Sequence, residues 1–159
     1  MASRSVERFR DALIAAGLDD TIIELGVHAR TAQQAADAIG CAVSQIIKSL
    51  VFADRGSRPL LVLAAGDVRV DEKRIAAVHG EPVSMADARL VRELAGYAIG
   101  GVPPFGHNRV LPTLIDRTLL QHETVWAAAG TPRHVFSLPV SELRRATGGQ
   151  LEEVGAAVA

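Results

Sequence analysis

Ile46-Ile-Lys-Ser-Leu-Val-Phe-Ala53 and Leu60-Leu-Val-Leu-Ala-Ala65 are two apolar runs of strand length, separated by the polar stretch Asp54-Arg-Gly-Ser-Arg-Pro59. Short runs rich in branched and aromatic residues on either side of a glycine-containing loop predict a β-hairpin. Because both runs are almost continuously apolar, we expect this hairpin to be buried within the sheet of the domain.

Apolar residues recur at helical spacing on both sides of the hairpin, and further short runs have strand length. Thr31 with Gln34 is a capping-box pattern that predicts the start of a helix, and Gly40 is placed to end it. The first helix is expected to bury one face, which consists of Val6, Phe9, Leu13 and Ile14. Other helices are predicted at 71–79, 87–95 and 141–146, and other strands at 21–25, 110–115, 125–129 and 134–138.

The order of these elements predicts the fold class. Helices and strands alternate irregularly, and several connections are short enough for hairpins, which is typical of α+β proteins rather than doubly wound ones. We therefore predict a single compact domain over residues 1–159, with a mixed, mostly antiparallel sheet and flanking helices.

The composition fits one ordinary folded domain. The chain has 159 residues, of which 48% are hydrophobic, and its 17 basic and 18 acidic side chains give a formal net charge of −1. This balance excludes disorder and excludes binding of a polyanion through bulk charge. Only two of the 17 basic residues are lysines, Lys48 and Lys73, so each of them is a candidate for a specific role.

Several common kinds of site are absent from the sequence. Cys41 is the only cysteine, and no Cys/His spacing resembles a zinc site. Phosphate-loop, serine-hydrolase and HExxH patterns are also missing, so we expect neither a metal nor another cofactor. The polar N-terminus and the lack of a long apolar run predict a cytoplasmic protein with no membrane partner.

Lys48 stands at the start of an otherwise apolar strand, where an ammonium group is costly unless it reaches water or an anion. One interpretation is an edge strand from which the lysine extends into solvent. The other is a fixed cation that faces a phosphate or a carboxylate.

Two other stretches carry candidate site residues. Residues 96–106 contain four glycines and two prolines, a composition that fits either a tight turn or a stiff loop whose backbone approaches a ligand. In Ala127-Ala-Ala-Gly130-Thr-Pro-Arg-His134, small residues leave room for a ligand before a histidine. A lone histidine in such a position is more often structural than functional.

Three stretches occur in the order typical of one family: Gln45-x-x-Lys48-Ser-Leu50, Gly96-Tyr-x-x-Gly100-Gly101-x-x-Pro104-x-Gly106 and Leu111-Pro-Thr-x-Ile-Asp116. On these motifs the chain resembles the YbaK/ProX family of aminoacyl-tRNA deacylases, which is similar to the editing domain inserted in bacterial prolyl-tRNA synthetases. The resemblance runs from the first helix to Leu138. It is specific for the family and much less specific for the amino acid removed.

The resemblance implies a free-standing trans-editing hydrolase that cleaves the ester of misacylated tRNA, with alanine, cysteine or serine on tRNA for proline as expected substrates. Lys48 matches the family's essential lysine, which is thought to hold the phosphate of the 3′-terminal nucleotide. Gly100 and Gly101 match the glycine pair that lines the reaction centre, and these three residues are the candidate catalytic set. The partners implied are the 3′ end of misacylated tRNA and a prolyl-tRNA synthetase.

The same resemblance implies a set of substrate-binding residues. His134 matches the histidine that bounds the amino-acid pocket. From the residues themselves, the small wall Ala127–Ala129 before Gly130 leaves room for a ligand and favours alanine, so Ala128, Ala129 and Gly130 are further substrate-binding candidates. Ser49 stands where other members carry threonine, serine or asparagine. Asp116 also matches the family, and its simplest role is to cap the turn before Thr118.

Three functional hypotheses stay open on the sequence. The first is the deacylase, the second a non-catalytic module that binds a nucleotide or a tRNA 3′ end, and the third a relative that acts on another ester or acyl substrate. The presence of both Lys48 and the Gly100-Gly101 pair favours catalysis over binding alone.

Overall fold

Five α-helices and ten β-strands form in residues 3–158, the part of the chain that the computed structural model describes. The helices are α1 (Arg4–Ala15), α2 (Ala32–Ile39), α3 (Glu72–His79), α4 (Ala88–Ala95) and α5 (Val140–Thr147). The first five strands are β1 (Ile23–Glu24), β2 (Ile47–Ala53), β3 (Pro59–Ala65), β4 (Val68–Val70) and β5 (Ser84–Met85). The others are β6 (Thr113–Asp116), β7 (Thr124–Ala128), β8 (His134–Pro139), β9 (Gln150–Glu152) and β10 (Gly155–Ala157).

The predicted hairpin is confirmed and forms the centre of the largest sheet. Strand β2 pairs antiparallel with β3 along its whole length, and the five-stranded sheet has the order β5-β2-β3-β6-β9. Strands β6 and β9 are parallel to their neighbours, whereas β5 is antiparallel to β2. Antiparallel sheets β1-β8-β7 and β10-β4 complete the architecture. The predicted α+β class and the mixed, mostly antiparallel pairing are therefore confirmed, while the domain bounds 1–159 stay a prediction.

Helix α1 covers the core with one face, as its spacing predicts. Val6, Phe9 and Leu13 are buried, and the ring of Phe9 lies 4.7 Å from that of Phe136 between ring centroids. Ile14 was expected on the same face, and that expectation is wrong, because this side chain is 59% exposed. It follows Leu13 directly, and the ~100° rotation per helical residue turns it away from the core.

The shortest strands are the elements that the sequence did not reveal. Strands β4, β5, β9 and β10 have two or three residues each, too few to show a period. They form because the fold brings a partner strand beside each of them: β2 beside β5, β6 beside β9, and β4 and β10 beside each other. Strand β6 begins at Thr113 rather than at the predicted position 110, where Val110 is 95% exposed. No helix in residues 3–158 combines the length and the hydropathy that crossing a bilayer requires.

Strands β2 and β7 touch at one end and then separate, which creates the space for a site. An isolated parallel bridge joins Ile46, just before β2, to Trp126 in β7. At its other end β2 is covered by β5, which pairs only with Phe52 and Ala53. The outer edge of β2 between these two ends is uncovered.

A buried carboxylate closes the hairpin at the end away from this opening. Asp54 accepts hydrogen bonds from the backbone N–H groups of Gly56 and Arg58, and from the Arg58 side chain. Its Oδ2 also lies 2.9 Å from Nε2 of His79, at the end of α3. These hydrogen bonds, with that to His79 the largest, lower the pKa of Asp54 from its ordinary value of 3.8 to about 2.

We expect Asp54→Asn to be less stable than the native protein, by a margin that shrinks in acid. A carboxyl whose pKa is lower in the folded state stabilises that state fully above its unfolded pKa and loses this contribution as the pH falls through the folded value. The difference in the free energy of unfolding should therefore be smaller at pH ~2 than at pH ~5. Urea unfolding at a series of pH values measures it, with exposed Asp11→Asn as the matched control. A pH-independent difference would contradict the prediction.

Candidate active site

A cavity of about 690 Å³ occupies the opening between β2 and the β7–β8 pair. The start of α2 and the 96–106 loop form its other walls. Among the predicted site residues, those that line the cavity are Lys48, Ser49, Gly100, Ala128 and His134. The other three, Gly101, Ala129 and Gly130, are buried behind its wall.

Lys48 does not extend freely into solvent. Its side chain is half-buried, and Nζ donates a hydrogen bond of 2.6 Å to the carbonyl oxygen of Val68. Burial lowers the pKa of Lys48, although the negative charges of Asp67 and Asp116 oppose that shift. Within residues 3–158 neither carboxylate lies within ion-pair distance of Nζ. Since an ammonium group has three donors, two remain for a ligand.

Asp116, the last residue of β6, is buried and hydrogen-bonded on both carboxylate oxygens. One carboxylate oxygen accepts hydrogen bonds from the N–H and the hydroxyl of Thr118, so the predicted capping role is confirmed. The other oxygen accepts a bond from the N–H of Ala65, which the sequence did not predict. The carboxylate is almost completely buried, and it fixes the end of β3 against β6.

Ser49, next to Lys48, carries a polar atom without a partner. Its Oγ is the only buried side-chain oxygen or nitrogen in the described part of the chain for which no hydrogen bond is found. An unsatisfied buried hydroxyl costs about 1–3 kcal/mol, so such groups call for an explanation.

The backbone of Ser49 also lies on the uncovered edge of β2. The carbonyl of Val51 points away from β3, since it accepts a hydrogen bond from Ala86. Alternate residues of a strand direct their N–H and C=O groups to the same side, so Ser49 and Ile47 present theirs to the same edge. That edge borders the cavity, where a ligand can pair with them.

The two adjacent glycines have different environments. Gly100 has a φ of +85° and borders the cavity, and no hydrogen bond to its N–H or C=O is found within residues 3–158. By contrast, Gly101 donates to the carbonyl of Ala98 and accepts from the N–H of Gly130. A Cβ atom on Gly101 would lie 2.7 Å from the Cα of Thr131. Gly100 therefore offers free backbone groups, and Gly101 lets the loop approach the turn at 130–132.

Buried polar contacts hold the 96–106 loop in place. Tyr97 is fully buried, and its hydroxyl donates to the carbonyl of Gly106. His107 lies 2.7 Å from the carbonyl of Pro103 through Nε2, and burial lowers its pKa. The guanidinium of Arg8 lies 4.1 Å from the centre of the Tyr97 ring. These contacts restrict the loop before a ligand binds, and none of them was evident from local sequence.

His134 lines the cavity at the start of β8. Its Nδ1 lies 2.7 Å from the hydroxyl oxygen of Thr131, and its Nε2 lies 3.9 Å from a carboxylate oxygen of Glu24. The backbone of His134 accepts a hydrogen bond from the N–H of Ala129, which keeps the small residues of β7 beside it. The only tryptophan, Trp126, also lines the cavity, two residues before Ala128 on β7.

Comparisons with known proteins identify the family of this chain. The sequence profile named aminoacyl-tRNA editing domain matches residues 27–146 of this chain. The chain belongs to the aminoacyl-tRNA editing family. The match includes β2, the glycine loop and His134, so every predicted site residue lies within the editing domain.

Individual relatives cover most of this editing domain. YwhH of Bacillus subtilis (strain 168) is 34% identical over 125 residues, which are 79% of this chain and 80% of YwhH. EbsC of Enterococcus faecalis (strain ATCC 700802 / V583) is 25% identical over 125 residues, which are 78% of this chain and 76% of EbsC. EbsC is named as a candidate Cys-tRNA(Pro)/Cys-tRNA(Cys) deacylase. A crystal structure described as a candidate trans-editing enzyme for prolyl tRNA synthetase is 41% identical. It has a TM-score of 0.92, with 99% of this chain and 100% of that chain covered.

The polar groups of the cavity include a cation, backbone groups and an imidazole. The described residues include no group of three or more His, Cys, Asp or Glu side chains placed to hold a metal ion. The polar groups that border the cavity are the ammonium of Lys48, the backbone of Gly100 and of the β2 edge, and the imidazole of His134. Such a set can orient an ester and stabilise negative charge on its carbonyl oxygen.

Proposed function

We propose that this protein is a free-standing trans-editing hydrolase that removes a small amino acid, alanine, cysteine or serine, from tRNA for proline. The observation that carries the proposal is one cavity, in a member of the editing family, that brings together Lys48, Gly100 and His134. The EbsC relative and the candidate trans-editing structure support a deacylation reaction. The proposal includes a cytoplasmic location, where aminoacyl-tRNA is used, and a prolyl-tRNA synthetase as partner.

The proposed reaction is hydrolysis of the aminoacyl ester. The oxygen of a water attacks the carbonyl carbon, the bond from that carbon to the ribose oxygen breaks, and the ribose oxygen takes up a proton. The amino acid leaves with its carboxyl group, which releases a proton to solvent. The substrate is already activated by its α-ammonium group, so the protein mainly has to position the ester and the water.

In this proposal Lys48 and Gly100 have separate roles. Lys48 binds the phosphate of the terminal nucleotide with its two unused donors, while the hydrogen bond to Val68 fixes the direction of its side chain. The unbonded N–H of Gly100 faces the carbonyl oxygen on which charge develops. One such donor is worth ~2.7–4 kcal/mol, and positioning of the reactants up to ~7–11 kcal/mol. Gly101 contributes by holding Gly100 against the turn at 130–132.

The cavity is large enough for more than an amino acid. Its volume of about 690 Å³ is typical of sites for ligands far larger than alanine. We propose that the side next to His134 and Ala128 takes the amino acid. The remaining space near Lys48 and Trp126 takes the terminal nucleoside.

A deacylation assay tests the proposed function directly. Alanyl-, cysteinyl- and seryl-tRNA with the proline anticodon are incubated with the protein, and loss of the ester is followed, with prolyl-tRNA as the matched control. At least one of the three small substrates should decay faster than in buffer, and prolyl-tRNA should decay far more slowly than that substrate. If no ester decays faster than in buffer, the enzyme hypothesis fails.

The binding-module hypothesis has its own signature in the same samples. Because Trp126 is the only tryptophan and borders the cavity, its fluorescence should change when a ligand enters. A change on addition of uncharged tRNA, without hydrolysis of any charged tRNA, would favour the non-catalytic module.

His134→Ala should widen the range of amino acids removed. Without the imidazole the wall beside Ala128 recedes, so larger esters, including prolyl-tRNA, should be hydrolysed faster relative to alanyl-tRNA. The ratio of kcat/KM values should change by ~10-fold, the effect expected of one removed group in an apolar pocket. Exposed His28→Ala is the control. An unchanged preference would assign His134 a structural role.

A further inference from the structure

Thr131 lies where the two loops of the active site meet. It follows Gly130, whose N–H donates a hydrogen bond of 3.0 Å to the carbonyl of Gly101. The Cα of Thr131 is the heavy atom nearest to the place where a Cβ on Gly101 would stand. Its neighbour Pro132 has a similar relation to Gly100, because a Cβ on Gly100 would lie 3.3 Å from Cγ of Pro132. Thr131 itself lines the cavity, so a substitution at this position should affect both sides of the cavity.

The side chain of Thr131 connects this junction to His134. Its Oγ1 lies 2.7 Å from Nδ1 of His134, and the backbone N–H of Arg133 donates to the same oxygen over 3.1 Å. A hydroxyl has one hydrogen and two lone pairs. Since Arg133 occupies a lone pair, the hydroxyl hydrogen is available to donate to Nδ1, its nearest acceptor.

This arrangement has a consequence for the protonation of the ring. If Nδ1 of His134 accepts the hydroxyl hydrogen, the neutral imidazole carries its proton on Nε2. Nε2 lies 3.9 Å from the Glu24 carboxylate, which is longer than a hydrogen bond, so Glu24 does not hold that proton directly. Glu24 and His134 are directly opposite each other in the β1–β8 pairing, which keeps the negative charge on the Nε2 side of the ring.

We infer that Thr131 is a positioning residue that fixes His134 as the Nε2–H tautomer and fixes the plane of its ring at the cavity wall. The hydrogen bond at Nδ1 and the negative charge on the Nε2 side both disfavour rotation of the imidazole. A ring held in this way keeps the boundary of the amino-acid pocket constant. The effect on substrate selection rests on the proposed function, whereas the tautomer does not.

Nitrogen NMR of the imidazole tests the inference without any substrate. In protein labelled with ¹⁵N-histidine, long-range ¹H–¹⁵N spectra near pH 8 distinguish a protonated from an unprotonated Nδ1. His134→Ala identifies its signals. We expect an unprotonated Nδ1 in the native protein and in Thr131→Ser, and a mixture of tautomers in Thr131→Val, which keeps the shape but lacks the hydroxyl. A protonated Nδ1 in the native protein, or an unchanged spectrum in Thr131→Val, would overturn it.

Deacylation by the same variants tests the consequence for selectivity. One hydrogen bond is worth a factor of roughly 5–10, so the preference for alanyl- over prolyl-tRNA should fall by that factor in Thr131→Val and recover in Thr131→Ser. A preference that Thr131→Val leaves unchanged would overturn the positioning role. If the native protein hydrolyses no ester, the proposed function fails, and the NMR result still decides the tautomer.

Discussion

Replacing Lys48 by alanine should lower kcat/KM for a small aminoacyl-tRNA by about 100-fold to 1,000-fold. The ammonium is half-buried in the cavity wall and still has two donors for a phosphate oxygen. Removal of a fixed charge or donor from a water-poor site has an effect of this size in other enzymes. Single-turnover deacylation, with the enzyme in excess but below saturation, measures kcat/KM.

Lys73→Ala is the matched control, because the chain has only these two lysines and Lys73 is exposed in the first turn of α3. Its activity should equal that of the native protein. Lys48→Ala leaves the carbonyl of Val68 without its donor, so thermal unfolding must accompany the assay. A Lys48→Ala protein that is folded and as active as the native one would show that the assigned role is wrong.

Gly101→Ala is expected to reduce both stability and activity. The added Cβ would stand 2.7 Å from the Cα of Thr131 and 2.8 Å from the carbonyl oxygen of Gly130. These are backbone atoms that cannot rotate away, so the two loops must separate. Overpacking of this kind costs ~1–3 kcal/mol in the free energy of unfolding. A displacement of about 1 Å at a reacting group lowers the rate by ~100-fold, and we expect a loss of that order in kcat/KM.

The matched control for this variant is Gly26→Ala. A Cβ on Gly26 meets no atom within 4 Å, and its φ is outside the left-handed region. It should be as stable and as active as the native protein. If Gly101→Ala retained native activity, close docking of the two loops would not be needed for the site.

The central hairpin and the helices could be predicted because their signals are local. The apolar runs at 46–53 and 60–65 leave no polar face, so their pairing and burial follow from composition. The caps are equally local, since Thr31 accepts from the N–H of Gln34 and Gly40 adopts a left-handed conformation at the end of α2. Strands of two or three residues contain no period and become strands only when the tertiary structure places a partner strand beside them.

The amino-acid sequence by itself determined the α+β class and the positions of the long elements, and it singled out Lys48 as a candidate site residue. A charge inside an apolar strand is visible without coordinates, and its cost demands a partner. Only the tertiary structure separated the free backbone of Gly100 from the packed backbone of Gly101, and only it placed Thr131 between that loop and His134. These distinctions depend on contacts between segments far apart in the chain, and such contacts leave no local pattern in either segment.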